Sequence, residues 1–155
     1  MLRKVAYIAV LAAVLAAAGL AWYQHDRAER RDTAVRQSTA AATTAAQAIF
    51  SYDYRSFDTS VANGQSFVTG DFAKEYGQTT TALKANAVKE QAIVRASVSA
   101  SGVVTASPSH VELLLYLNQY RRNTNITGEK VDQNRVVLTM VLVHGEWKVV
   151  GATAL

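Results

Sequence analysis

The histidines are the first residues to test for chemistry. His25, His110 and His144 lie far apart in the chain and show no His-x₃-His spacing, so they read as surface side chains rather than metal ligands. There is no cysteine, which excludes disulfides, thiol nucleophiles and cysteine-bound metal. No Gly-x-Ser-x-Gly elbow, Gly-x-Gly-x-x-Gly turn or phosphate-binding loop occurs. Asn125-Ile126-Thr127 matches a glycosylation acceptor, a three-residue pattern that commonly arises by chance in a polar loop. Neither a catalytic residue, a metal nor a cofactor is therefore expected. The stronger signal is apolar. Val111 to Leu117 and Val136 to Val143 carry apolar side chains at both parities of a strand. Helices can cover one face of such strands; the other needs sheet curvature, a ligand or another chain. Leu114, Tyr116, Met140 and Leu142 are the expected contacts for a partner subunit or an apolar ligand.

These residues need a sheet to hold them. From Lys89 the pattern has period two: Val94, Ala96, Val98 and Ala100 alternate with Arg95, Ser97, Ser99 and Ser101. Ser107-Pro108-Ser109 is a turn. A strand is expected over His110 to Arg122, with Val111, Leu113, Leu115 and Leu117 on one face. A polar loop over Asn123 to Asp132 should follow, then a strand over Arg135 to Val143. His144-Gly145 predicts a tight hairpin turn, and Glu146 to Ala154 returns as the last strand. Ahead of the strands, Gln24 to Phe50 lacks proline and glycine and is rich in helix formers. Ala28, Val35, Ala42 and Ile49 make a thin seam along it. A second helix is expected from about Ser56 to Val68, weakened at Asn63-Gly64. Gly70 is expected to end it in a left-handed conformation, with Asp71 capping a third helix that presents Phe72, Tyr76, Thr79 and Leu83. Helices followed by a run of strands define an α+β domain, with the helices on one face of an antiparallel sheet.

The first apolar run sets the placement. Val5 to Tyr23 contains no charge, follows Arg3 and Lys4, and ends in Trp22-Tyr23. A hydrocarbon core of about 30 Å takes about 20 helical residues, and aromatic rings favour the headgroup layer. Residues 1–23 are read as a retained single-pass membrane anchor, with a signal cleaved near Gly19-Leu20-Ala21 as the alternative, 24–50 as a membrane-proximal helix and 51–155 as the domain. The short, purely positive amino-terminal tail favours a domain outside the cytoplasm. The net charge of +4 over 155 residues is mixed in sign beyond the anchor, with no basic stripe interleaved with aromatics. No nucleic-acid partner is expected on that basis.

Several stretches, in order, carry a family resemblance: Ser51-Tyr52-Asp53-Tyr54, Thr69-Gly70-Asp71-Phe72-Ala73-Lys74-Glu75-Tyr76, Val103-Val104 with Ala106-Ser107-Pro108, Leu117-Asn118-Gln119, and Gly145-Glu146-Trp147-Lys148-Val149. Behind an N-terminal anchor, this set resembles the Mce-associated membrane proteins of actinobacteria over nearly the whole chain. The resemblance implies an NTF2-like (cystatin-like) domain and a non-catalytic accessory role beside Mce transporter components, which move lipids and sterols across the envelope. Partners would then be the membrane, those components or related envelope proteins, and lipid. Placement in the cell membrane is favoured, although some relatives are described as outer-membrane proteins. Asn63-Gly64 departs from the family pattern. The same fold elsewhere hosts ketosteroid isomerase-like sites, which need a base and an oxyanion donor inside the cone. Asp53 or Asp71 with Tyr52, Tyr54 or Tyr116 would be the residues for it, set against their simpler roles as caps and packing groups. A lipid-binding module and a secretion-system scaffold complete the alternatives.

Overall fold

The computed structural model describes the backbone from Leu2 to Leu155 and the side chains from Val14 onward. One helix, α1, runs from Leu2 to Ile49. A two-residue strand β1 (Tyr52–Asp53) and a single 3₁₀ turn (Tyr54–Ser56) lead into α2 (Phe57–Gln65) and α3 (Gly70–Lys89). Four long strands close the chain: β2 (Ile93–Ala106), β3 (His110–Arg122), β4 (Lys130–Val143) and β5 (Glu146–Ala154). They form one sheet in the order β1-β2-β3-β4-β5, every neighbour antiparallel. The α+β expectation holds.

The bounds of β3 and β5 are those the alternation predicts. The turn between β4 and β5 is also as expected: His144 (φ 49°) and Gly145 (φ 85°) both lie in the left-handed region, as a two-residue turn matched to strand twist requires. β4 begins earlier than expected, at Lys130, so the preceding loop is shorter. Its first residues pair with β3 through Arg121–Lys130 and Tyr120–Val131, and the ladder orders a segment whose polarity reads as loop. β1 is too short for any periodicity and was not expected.

The second half of α1 is part of the core. Ala34, Ser38, Ala42, Ala45 and Ile49 are buried at intervals of three and four residues. This stripe differs from the seven-residue seam: Ala28 is exposed and Val35 only half-buried. Small side chains let the helix axis approach the sheet closely. Ser38 pays no desolvation penalty because its hydroxyl donates to the Val35 carbonyl at 3.2 Å. Trp147 Nε1 donates to Gln37 Oε1 at 3.4 Å, joining β5 to the same helix. Beneath α1 the sheet presents Val111, Leu113, Leu115, Leu138 and Val149, all wholly buried. At ~1.5–3 kcal/mol per fully buried aliphatic side chain, this layer is the main source of stability.

Gly70 does take a left-handed conformation (φ 64°), but it opens α3 and does not end α2, which stops at Gln65. Asp71 makes no side-chain cap but stands in the first turn of α3, where a carboxylate favours the helix N-terminus, and it pairs with Lys74 at 2.9 Å on the surface. The inward face of α3 carries Tyr76, Thr80 and Ala87, while Thr79 is exposed. The glycine at Gly64 has a tertiary origin: it is buried, and a Cβ there would stand 2.1 Å from the Tyr76 hydroxyl oxygen.

The anchor expected over residues 1–23 falls largely outside the residues whose side chains are described. Among the described residues, no helix is long and apolar enough to cross a membrane. From Val14 to Tyr23, α1 makes no part of the core, and Leu15, Leu20, Trp22 and Tyr23 are exposed.

Candidate functional site

The four expected contact residues do not form one patch. Directly paired residues share a face of the sheet. Met140 pairs with Val111 and Val149, and Leu142 with Trp147, so both belong to the helix-covered side. Met140 is wholly buried there and is a core residue; Leu142, farther along the strand, is 38% exposed. Leu114 pairs with Val137 and Tyr116 with Arg135, on the opposite face. Leu114 is half-buried and Tyr116 is 44% exposed. Of the four, only these two stand on the open face.

The carboxylates and tyrosines that would serve a base-and-donor site are also dispersed. Asp71 is on the surface at the start of α3, and Tyr116 is on the open sheet face. Only Asp53 and Tyr52 meet, along a shallow depression of about 420 Å³ between the end of α1 and β2. Asp53 is committed there to another role. Its carboxylate receives the Arg55 backbone N–H at 3.0 Å and Arg55 Nε at 2.9 Å, and it forms a further bond with Arg55 Nη2. The Arg55 hydrogen bonds hold its pKa down at about 2, so it is a weak base at neutral pH.

That shift gives a pH prediction. The folded pKa of about 2 lies below the 3.8 of an ordinary aspartate. The interaction therefore stabilises the fold above about pH 4 and is lost as pH falls toward 2. Asp53→Asn is expected to be less stable than the parent at pH 7, by a small margin because Arg55 is solvent-exposed. The two urea midpoints should converge between pH 4 and pH 2.

An apolar pocket of about 360 Å³ opens between α2, α3 and the inner face of the sheet. Phe57, Val61, Phe72 and Leu83 form its walls, with Tyr52, Tyr76 and Gln119 adding polar groups. Tyr52 stacks edge-on to Phe57, ring centroids 5.4 Å apart. Burial raises the pKa of both phenols, so each is a neutral hydroxyl. Phe72, Tyr76 and Leu83 are legible in sequence as residues of one helix face but not as walls of one cavity, because β1 and Gln119 join them only through the sheet. Among the described residues, no three His, Asp or Glu side chains gather as a metal site.

Comparison with known proteins supports the fold and leaves the role open. No protein-family model matches the chain. Uncharacterized proteins from two strains of Mycobacterium tuberculosis are 25% identical to it over 151 residues, which is 94% of this chain and 69% of theirs. An IcmL-like type IV secretion system protein of Legionella pneumophila superposes with a TM-score of 0.63 at 17% identity, over 75% of this chain and 88% of its own. The VirB8 protein of Agrobacterium tumefaciens gives 0.62 at 13% identity, over 76% and 88%. A Nostoc punctiforme protein described as having a cystatin-like fold gives 0.52 at 13% identity, over 76% and 86%. The chain is thus similar in sequence to mycobacterial proteins, and its fold is of the NTF2-like, cystatin-like kind.

Proposed function

We propose that this chain is a scaffold subunit of an envelope transport assembly, held by its first helix at a membrane and binding other envelope proteins through its domain. The observation that carries the reading is α1. One uninterrupted helix carries an exposed, largely apolar stretch from Val14 to Tyr23 and ends inside the core of the domain. Such a helix couples the domain rigidly to whatever holds its first half. The structural neighbours from type IV secretion systems favour a scaffold over an enzyme, and the mycobacterial relatives favour an actinobacterial envelope. Within that envelope, an Mce-type lipid transport system is the assembly we assign to it, on the family resemblance of the ordered motifs. The domain then faces away from the cytoplasm, and the open sheet face around Leu114 and Tyr116 is its docking surface.

A photo-crosslinking residue at position 116 in intact cells tests this. Capture of one defined component of a transport or secretion complex is the expected result. Capture of cytoplasmic proteins only, or of nothing, overturns it. The chain has no cysteine, so Ser101→Cys reports the placement cleanly. A membrane-impermeant maleimide should label it before lysis; labelling only after lysis overturns the extracytoplasmic placement.

A further inference from the structure

The β2 edge of the sheet is open over most of its length. β1 covers only Ile93 and Val94. Ser51 Oγ accepts the next outward N–H, that of Ala96, at 2.8 Å. From Ser97 to Ala106 no strand among the described residues pairs with that side of β2. Ser99 to Thr105 are all exposed. This segment consists of serine, alanine, valine, threonine and glycine, with no charge and no proline. Charged side chains and proline are the common means of keeping a free edge from pairing with another chain, and this edge has neither.

It does have two bulges, between Val98 and Ala100 and between Val103 and Thr105, and these select what can pair with it. Ala96 turns its N–H outward. Ser107, at the other end, donates inward to the His110 carbonyl at 2.8 Å. Alternation counted from either end, with one extra residue at each bulge, gives the same set: Val98, Ser101, Val103 and Ala106 direct their N–H and C=O groups outward. This set is symmetric about Gly102. Reversed end for end, Val98 falls on Ala106, Ser101 falls on Val103, and each bulge falls on the other. A regular strand would lose register at every bulge. A second, antiparallel copy of β2 keeps register through both. In that register Ala96, whose N–H is already bonded, comes opposite Pro108, which has no N–H to give. Gly102 has no evident task in the single chain: its φ is not in the left-handed region, and a Cβ there would meet nothing within 4 Å. A glycine inside a strand weakens it and often marks the close approach of another backbone.

We propose that two copies of this chain pair edge to edge through β2, antiparallel and centred on Gly102, to make one continuous sheet. The outward groups of Val98, Ser101, Val103 and Ala106 then exchange about eight hydrogen bonds. The two Gly102 residues face each other as a non-hydrogen-bonded pair, Cα atoms about 4.5 Å apart. The two-fold axis stands normal to the sheet at Gly102, so the helices of both copies lie on one side of it. Symmetry relates the two α1 helices about that axis, and both meet one membrane when it lies along the membrane normal. The contact leaves the open face around Leu114 and Tyr116 free, and the inference does not rest on the scaffold reading.

Cysteine trapping tests the register, because the chain has no cysteine of its own. Gly102→Cys in the full chain, purified in detergent and treated with oxidised glutathione, should give a disulfide-linked dimer, since residues facing each other at this spacing are within disulfide reach. Ala100→Cys and Thr105→Cys lie on the same strand and are also exposed. In this register each is more than about 10 Å from its own copy, so both should crosslink at least about tenfold more slowly. Val103→Pro removes an outward N–H and no bond to β3. Added to Gly102→Cys, it should slow crosslinking at least about tenfold with an unchanged circular dichroism spectrum. Equal rates at all three cysteines, or no dimer from Gly102→Cys, overturn the proposal. So does undiminished crosslinking in a folded Gly102→Cys/Val103→Pro chain. If Val103→Pro does not fold, the contrast among the three cysteines decides alone. Failure of capture at position 116 would sink the scaffold reading and leave this contrast standing.

Discussion

Gly64→Ala will destabilise the protein by about 3 kcal/mol and lower its melting temperature by roughly 10 °C. The backbone at Gly64 is not strained. The cost is steric: an added Cβ stands 2.1 Å from Tyr76 Oη, 2.8 Å from Tyr76 Cζ and 3.1 Å from the Ala48 carbonyl oxygen. The Ala48 carbonyl is held in α1, and the Tyr76 ring is packed into the main core at 8% exposure. Neither can withdraw without opening the contact between α2, α1 and α3. The competing effect is helix propensity, which favours alanine over glycine by ~1 kcal/mol at an ordinary helical position. Overlap at these distances outweighs that gain. Thermal melts of a four-member cycle check the mechanism. Tyr76→Phe removes the nearest atom but leaves Cζ, so it should recover only part of the loss. Tyr76→Leu should be destabilising alone yet make Gly64→Ala nearly neutral in its presence, a coupling expected of contacting residues. Additive melting shifts across the cycle would remove Tyr76 as the cause.

Met140→Asp will abolish cooperative folding, whereas Tyr116→Asp will leave a folded domain that has lost its crosslinking partner. Met140 is wholly buried between Val111 and Val149, where a carboxylate finds no cation and no donor beyond the sheet ladder. Burying it unpaired, or protonating it and leaving a void, costs at least about 4 kcal/mol. That is a large share of the ~5–15 kcal/mol by which a domain of this size is stable. Tyr116 is 44% exposed and stands opposite Arg135, which can pair with a new carboxylate. Its replacement should cost less than about 1 kcal/mol. Far-ultraviolet circular dichroism and a urea titration separate the two outcomes. Equal loss of structure in both variants would make the open face part of the core and end its assignment as a docking surface.

Local chemistry settled many elements before any tertiary contact was known. Val111, Leu113, Leu115 and Leu117 share one parity of a β-rich run, and the strand that carries them buries that face. His144-Gly145 supplies the two residues that tolerate positive φ between two β-rich runs, and the hairpin is there. The helical composition up to Phe50 likewise gave α1. Its buried stripe was not legible, because alanine at most positions lets any side of the helix face a sheet equally well. The same ambiguity misplaced Met140 and Leu142. From Val136 to Val143 the strand is apolar at both parities, so composition cannot say which parity turns inward. The pairing of Val111 with Met140 decides it, through contacts between residues distant in the chain.

The pocket and Gly64 belong to the same class of facts. Phe57, Leu83 and Gln119 sit on three elements, and only the packing of α2 and α3 against the sheet turns them into one wall. Gly64 reads in sequence as a weak point in a helix; in the fold it is the space occupied by the Tyr76 ring. Element type follows from interactions within a few residues, and these the sequence determined by itself. Which faces meet, which polar groups are left without partners and where a side chain must be missing depend on contacts between distant segments, and only the tertiary structure decided them.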